Sequence, residues 1–74
     1  YMQKWAIMVE EELARAGIVD NEAQRLAEAL TDARDVIARE AQAEAESTGR
    51  TSDAEVTRIL ANKMQKYIER FRRS

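Results

Sequence analysis

The feature that most constrains this chain is the placement of its helix-breaking residues. The sequence has 74 residues, no proline and only two glycines, Gly17 and Gly49. Glycine and proline interrupt helices most strongly, so the uninterrupted stretch 20–48 predicts one long helix. A shorter helix is expected before Gly17, and another after Gly49. Three helices of unequal length are therefore the expected content of the chain.

Apolar residues recur at spacings of three and four before Gly17, which predicts a first helix over about residues 2–16. Its predicted buried stripe consists of Met2, Trp5, Val9, Leu13 and Ala16. The solvent-facing side is expected to consist of Glu10, Glu11, Glu12 and Arg15. Ile7 lies about 200° around the helix from Trp5, so a single intramolecular face does not cover both side chains.

Capping signals set the ends of the other two helices. Asp20 or Asn21 is the predicted N-cap and Gly49 the predicted C-terminal stop of a second helix over about residues 21–48. Ser52 and Glu55 form a capping-box pattern, in which each side chain binds a free amide, at the start of a third helix over about residues 53–73. The second stripe is Ala23, Leu26, Leu30, Ala33, Ile37, Ala41 and Ala45, and the third is Val56, Ile59, Leu60, Met64, Tyr67, Ile68 and Phe71.

Short connections make consecutive helices antiparallel neighbours. We therefore expect one all-α domain, residues 1–74, folded as an antiparallel up-down-up three-helix bundle. At 1.5 Å per residue the second helix would be about 42 Å long and the first only about 24 Å. Counting along these helices places Trp5 level with Tyr67.

The unequal lengths predict that the far end of the second and third helices is a two-helix hairpin with an open apolar side. An exposed apolar patch often marks an interface, so we expect a second copy or a partner helix to complete this end. The predicted interface consists of Ile7, Met8, Ile37, Ala41, Ala45, Val56, Ile59 and Leu60. In the alternative arrangement, the first helix tilts and Trp5 with Met2 closes the gap.

Several kinds of chemistry are not expected. The chain has no His and no Cys, which removes the usual general base, the usual zinc ligands and thiol reactivity. Carboxylate pairs such as Glu40 with Glu44 fall on a predicted solvent-facing side, whereas catalytic pairs need burial or a shared cleft. The Ser/Thr-rich segment 48–52 indicates a capped loop rather than an anion site. We expect no enzymatic activity, no cofactor, no metal and no small-molecule substrate.

Twelve basic and fourteen acidic side chains give a net charge of −2, which predicts no general affinity for nucleic acid or membranes. The end of the third helix is nevertheless basic, through Lys63, Lys66, Arg70, Arg72 and Arg73. A nucleic-acid-binding accessory domain is therefore one alternative function, although the helix dipole also favours cations there. The chain has no signal-peptide pattern and no apolar run of about 18 residues, so a natural protein of this sequence is expected in the cytoplasm.

The leading prediction is a non-enzymatic helical interaction or scaffold module that forms a homodimer through the hairpin of the second and third helices. A further alternative concerns origin. Glycine occurs only at the predicted helix ends, the loops are short, and proline is absent. Such agreement between local and global signals is typical of idealised bundles, which favours a computationally designed or engineered protein with no native biological function.

Overall fold

The computed structural model describes residues 2–73, with side chains from residue 4 onward. This part of the chain is 86% helical and contains no strand. Its helices are α1 (Met2–Arg15), α2 (Asn21–Asp32), α3 (Arg34–Thr48) and α4 (Asp53–Arg73). The all-α class is confirmed, but the three-helix bundle is wrong because the long second helix is two helices. The predicted packing of Met2, alone or with Trp5, concerns a side chain outside the described residues.

The long second helix is interrupted at Ala33. Its φ of −92° and ψ of 8° lie outside the α-helical region, and its N–H donates to the carbonyls of Ala29 and Thr31. No glycine or proline stands here. Thr31, Asp32 and Asp35 are, however, weaker helix formers than the alanines and leucines around them. Because these residues weaken a helix far less than glycine or proline does, the positions of the strongest helix breakers do not reveal this interruption.

Glycine ends two of the helices, as predicted. Gly17 has a φ of 80° and Gly49 a φ of 73°, in the left-handed region that glycine adopts without a steric penalty. After Gly17, the Ile18 N–H donates to the Leu13 carbonyl, five residues earlier, at 2.9 Å. This is the hydrogen bond that defines a Schellman motif. Ile18 is only 5% exposed, so the chain leaving α1 folds back onto the core.

The predicted N-caps are confirmed in one case and half-formed in the other. The Asp20 carboxylate accepts from the Glu22 N–H at 3.0 Å and caps α2. At the start of α4, Ser52 Oγ accepts from the Glu55 N–H at 3.3 Å. The Glu55 carboxylate, predicted to bind the Ser52 amide, instead pairs with Arg58 Nη2 at 2.9 Å.

The helix α4 contacts all three other helices, whereas α1 packs on α2 and α4, and α3 packs on α4 and adjoins α2. The main core cluster consists of Trp5, Val9, Leu13, Ile18, Leu26, Leu30, Ile37, Met64, Tyr67 and Ile68. A smaller cluster between α3 and α4 consists of Ala41, Ala45 and Ile59. The last helix, and not the long middle stretch, is therefore the centre of the fold.

The height of α1 along α4 also differs from the prediction. Gln65 Nε2 donates to the main-chain oxygen and to Oε1 of Glu12, both at 2.8 Å. The two residues in this contact differ by 53 in sequence number. Placing Trp5 at the same height as Tyr67 would instead require a difference of 62. The difference of about nine residues corresponds to roughly 13 Å of helix. The count assumed one straight second helix, and the interruption at Ala33 removes that assumption.

Glu12 was predicted to face solvent, but it is only 5% exposed. It lies three residues after Val9 and four before Ala16, so helical periodicity places it on the buried stripe. Gln65 makes this burial tolerable by donating to its carboxylate, and Arg15 Nε lies 3.4 Å from Oε2. Its periodicity, rather than its charge, was the signal that would have predicted this position.

Two neighbouring residues of α3 test this core. Ile37 is fully buried, whereas Val36 is 46% exposed. We expect Ile37→Val to lower the free energy of unfolding by about 0.5–1.5 kcal/mol, because a methyl group leaves a packed interior. We expect Val36→Ala to change it by less than about 0.5 kcal/mol. Chemical denaturation of both variants measures the difference, and a larger loss at Val36 would contradict the arrangement.

Candidate functional site

An apolar groove lies between the N-terminal half of α1, the first turns of α3 and the helix α4. Its volume is about 210 Å³, and its lining surface is almost entirely apolar. The lining residues are Lys4, Trp5, Met8, Arg34, Ala38 and Leu60. The two cationic residues expose few polar atoms to the groove, so they contribute mainly their aliphatic stems, as long cationic side chains often do.

The structure divides the eight predicted interface residues into two groups. The enclosed group consists of Ile37, Ala41, Ala45 and Ile59, each at most 4% exposed. The accessible group consists of Ile7, which is 51% exposed, and the half-buried Met8, Val56 and Leu60. Alanine lets the backbones of α3 and α4 approach closely, so this hairpin buries its own apolar side. A partner can reach only the second group.

Four lining residues of the groove were not among the predicted interface residues. They are Lys4, Trp5, Arg34 and Ala38. The sequence places Trp5 in the core stripe or, in the alternative arrangement, closing the gap with Met2, and it does not connect Arg34 and Ala38 with α1. The groove depends on the height of α1 along α4, which periodicity within one helix does not specify. The signal that was available is the continuous apolar run from Trp5 to Val9, which is too wide for one buried face.

The Trp5 side chain combines burial with an unpaired polar atom. Trp5 is 7% exposed, and its Nε1 finds no acceptor among the described residues. A buried donor without a partner costs about 1–3 kcal/mol, and such groups are uncommon enough to require an explanation. The same residue lines the groove with its accessible part.

Two polar contacts fasten α3 to α4 beside the groove. Tyr67 Oη donates to Glu40 Oε1 at 2.9 Å, and Lys63 Nζ lies 3.0 Å from Glu44 Oε1. The hydrogen bond and charge of Lys63 lower the pKa of Glu44, and Glu44 in turn raises the pKa of Lys63. The hydrogen bond to Glu40, followed by burial, raises the pKa of Tyr67. This carboxylate pair therefore makes helix-to-helix contacts.

Most of the basic residues near the end of α4 have partners within the chain. The contacts are Lys63 with Glu44 at 3.0 Å, Arg72 with Glu22 at 3.5 Å, Arg73 with Glu69 at 2.6 Å, and Arg70 over the Tyr67 ring at 4.7 Å. Nucleic-acid binding relies on cations that neutralise phosphates. These intramolecular contacts compete with that role, so the geometry does not favour the nucleic-acid alternative.

The Ser and Thr side chains of the 48–52 loop bind nearby main-chain groups. Thr48 Oγ1 donates to the Glu44 and Ala45 carbonyls, and Ser52 Oγ caps α4.

Residues 2–73 contain no group of three or more acidic side chains placed to hold a metal ion. Over the same residues, no helix has both the length and the apolar composition needed to cross a bilayer. Comparison with protein-family models, curated proteins and solved structures found no match for this chain.

The Tyr67–Glu40 contact predicts a specific alkaline titration. Glu40→Gln should lower the pKa of Tyr67 toward the ordinary value of 10.0, because an amide accepts the hydrogen bond without repelling the phenolate. Replacing Tyr1 by Phe in both proteins makes Tyr67 the only tyrosine, so phenolate absorbance reports it alone.

The direction of the shift also fixes the effect on stability. Because the folded-state pKa of Tyr67 is raised, this contact stabilises the fold fully below about pH 10 and loses its contribution as the pH rises through the folded-state value. Glu40→Gln should therefore weaken the alkaline loss of stability. Identical titration curves for the two proteins would contradict the assigned contact.

Proposed function

We propose that this protein is a non-enzymatic helical interaction module that self-associates through the α1 groove, meaning the groove lined by Trp5, Met8, Ala38 and Leu60. One observation carries the proposal. An apolar groove and a large exposed apolar side chain, Ile7, occur side by side on the same half of α1. Each copy therefore offers both an apolar recess and a side chain able to cover it.

The size of the groove favours a protein partner over a small molecule. Pockets for small ligands and cofactors usually measure about 300–1,000 Å³, whereas this groove measures about 210 Å³. Such a volume suits one or two apolar side chains from a helix. Helix-in-groove recognition uses anchors of this kind.

A second copy is the occupant that the surface favours. Symmetric homodimers are the commonest oligomers, and they require one surface that complements itself. The exposed Ile7 follows Lys4 by three residues and precedes Glu11 by four, so opposite charges flank the apolar centre of the surface. Met8 and Leu60, two of the accessible residues predicted from sequence, line this groove.

Sedimentation equilibrium at micromolar concentration tests the proposal. We expect the unmodified protein to form a dimer and Ile7→Glu to weaken it by about tenfold or more, because a charge replaces an apolar contact. Val36→Glu is the matched control: Val36 is also exposed, at 46%, but does not line the groove, so the dimer should persist. Thermal melting verifies that both variants fold.

Fluorescence gives a second measurement. The chain has one tryptophan, and Trp5 lines the groove, so its emission should change with protein concentration as the groove is covered. A protein that stays monomeric at every concentration, with constant Trp5 emission, would overturn the proposed function.

A further inference from the structure

Resting on the proposed self-association, we infer that two copies pair α1 against α1 in antiparallel orientation about a twofold axis. In this arrangement Lys4 of each copy faces Glu11 of the other, and Ile7 of each copy faces Met8 of the other. The inference specifies which residues recognise each other, which the proposed function alone leaves open.

The four residues share one side of α1. At 100° per residue, Lys4, Ile7, Met8 and Glu11 fall within an arc of about 100°. Lys4, Ile7 and Glu11 are exposed, and Met8 is half-buried at the edge of the groove. The centre of this arc points well away from the buried face that carries Leu13. This side of α1 is therefore available to a partner while the core stays intact.

The order of the residues makes this stripe complementary to itself. In an antiparallel helix pair with a twofold axis, residues whose numbers have a constant sum face each other. A sum of 15 brings Lys4 opposite Glu11 and Ile7 opposite Met8. Each contact then occurs twice, as a twofold interface requires. Both kinds of contact are favourable, because one joins opposite charges and the other joins apolar side chains.

Other arrangements of the same helices are unfavourable. A parallel pair in register would bring Lys4 opposite Lys4 and Glu11 opposite Glu11. In the antiparallel pair, a slip of one turn in one direction would bring Lys4 opposite Arg15 and Met8 opposite Glu11, and a slip in the other direction would bring Lys4 opposite Ile7. Like charges that face each other destabilise a helix pair, and the second slip loses both Lys4–Glu11 pairs, so the charges favour the register with a sum of 15.

The two charges are also free to act between copies. Within the described residues, neither Lys4 nor Glu11 takes part in an ion pair. The adjacent Glu12, by contrast, is bound by Gln65 and Arg15. Forming the dimer contact therefore breaks no existing ion pair.

Charge reversal tests the pairing by sedimentation equilibrium at low ionic strength. Lys4→Glu should weaken the dimer about tenfold, because two attractive pairs become repulsive, and Glu11→Lys should weaken it equally. An equimolar mixture of the two variants should associate with the original affinity. In the mixed dimer the introduced glutamate meets the introduced lysine, and the unchanged Lys4 of one variant meets the unchanged Glu11 of the other. The double variant K4E/E11K should also recover the original affinity.

Glu28→Lys is the matched control. Glu28 is an exposed acid on α2 and lies outside the α1 stripe, so its reversal should leave the dimer unchanged. A dimer that tolerates Lys4→Glu, or single variants whose mixture fails to associate, would overturn this inference while the proposed function stands. A monomeric unmodified protein would overturn both.

Discussion

The fold depends on the burial of one side of α4. A chain of 74 residues buries only roughly 60% of the surface that its unfolded form exposes, so it needs one element that several others can cover together. The helix α4 meets this need, because α1, α2 and α3 all pack on it. Its Met64 side chain is fully buried and its Ile68 side chain nearly so, at the level where α1 and α2 also pack.

The balance of charge differs between α4 and the helices that cover it. Residues 53–73 carry six basic and three acidic side chains, whereas residues 1–52 carry six basic and eleven acidic ones. The polar contacts follow the same division, since Glu12, Glu22, Glu40 and Glu44 on the covering helices meet Gln65, Arg72, Tyr67 and Lys63 on α4. The two ion pairs among them, Arg72 with Glu22 and Lys63 with Glu44, are partly exposed and contribute little energy individually. Together the polar contacts specify the height at which each helix lies along α4.

The groove is a consequence of that height. Because Gln65 holds Glu12, the N-terminal half of α1 lies at a height where Trp5 and Met8 border a groove with Leu60 and Ala38. Most of the Trp5 side chain is buried in the core, and the remainder lines the groove. The exposed Ile7 remains outside both. Stability and surface properties of this small domain are thus set by the same interhelical contact.

Local chemistry made much of the fold predictable from the sequence. The glycine stops, the Asp20 cap and the range of the last helix, 53–73, depend on residues within one or two turns of each other. Apolar periodicity correctly predicted burial of Leu26 and Leu30. The groove was only partly predictable: its lining includes the predicted interface residues Met8 and Leu60, but also Ala38 and Arg34, which were not among them.

Tertiary structure decided what these local signals leave open. The residues around Ala33 include several weak helix formers, but these alone do not determine whether a helix breaks. The break also depends on what the segments before and after Ala33 pack against. The burial of Glu12 and the closed α3–α4 contact depend on residues more than ten positions away in sequence. The sequence determines which faces are apolar and where helices end, because those are local properties. Only the packed chain determines which faces meet, because height and tilt depend on all four helices together.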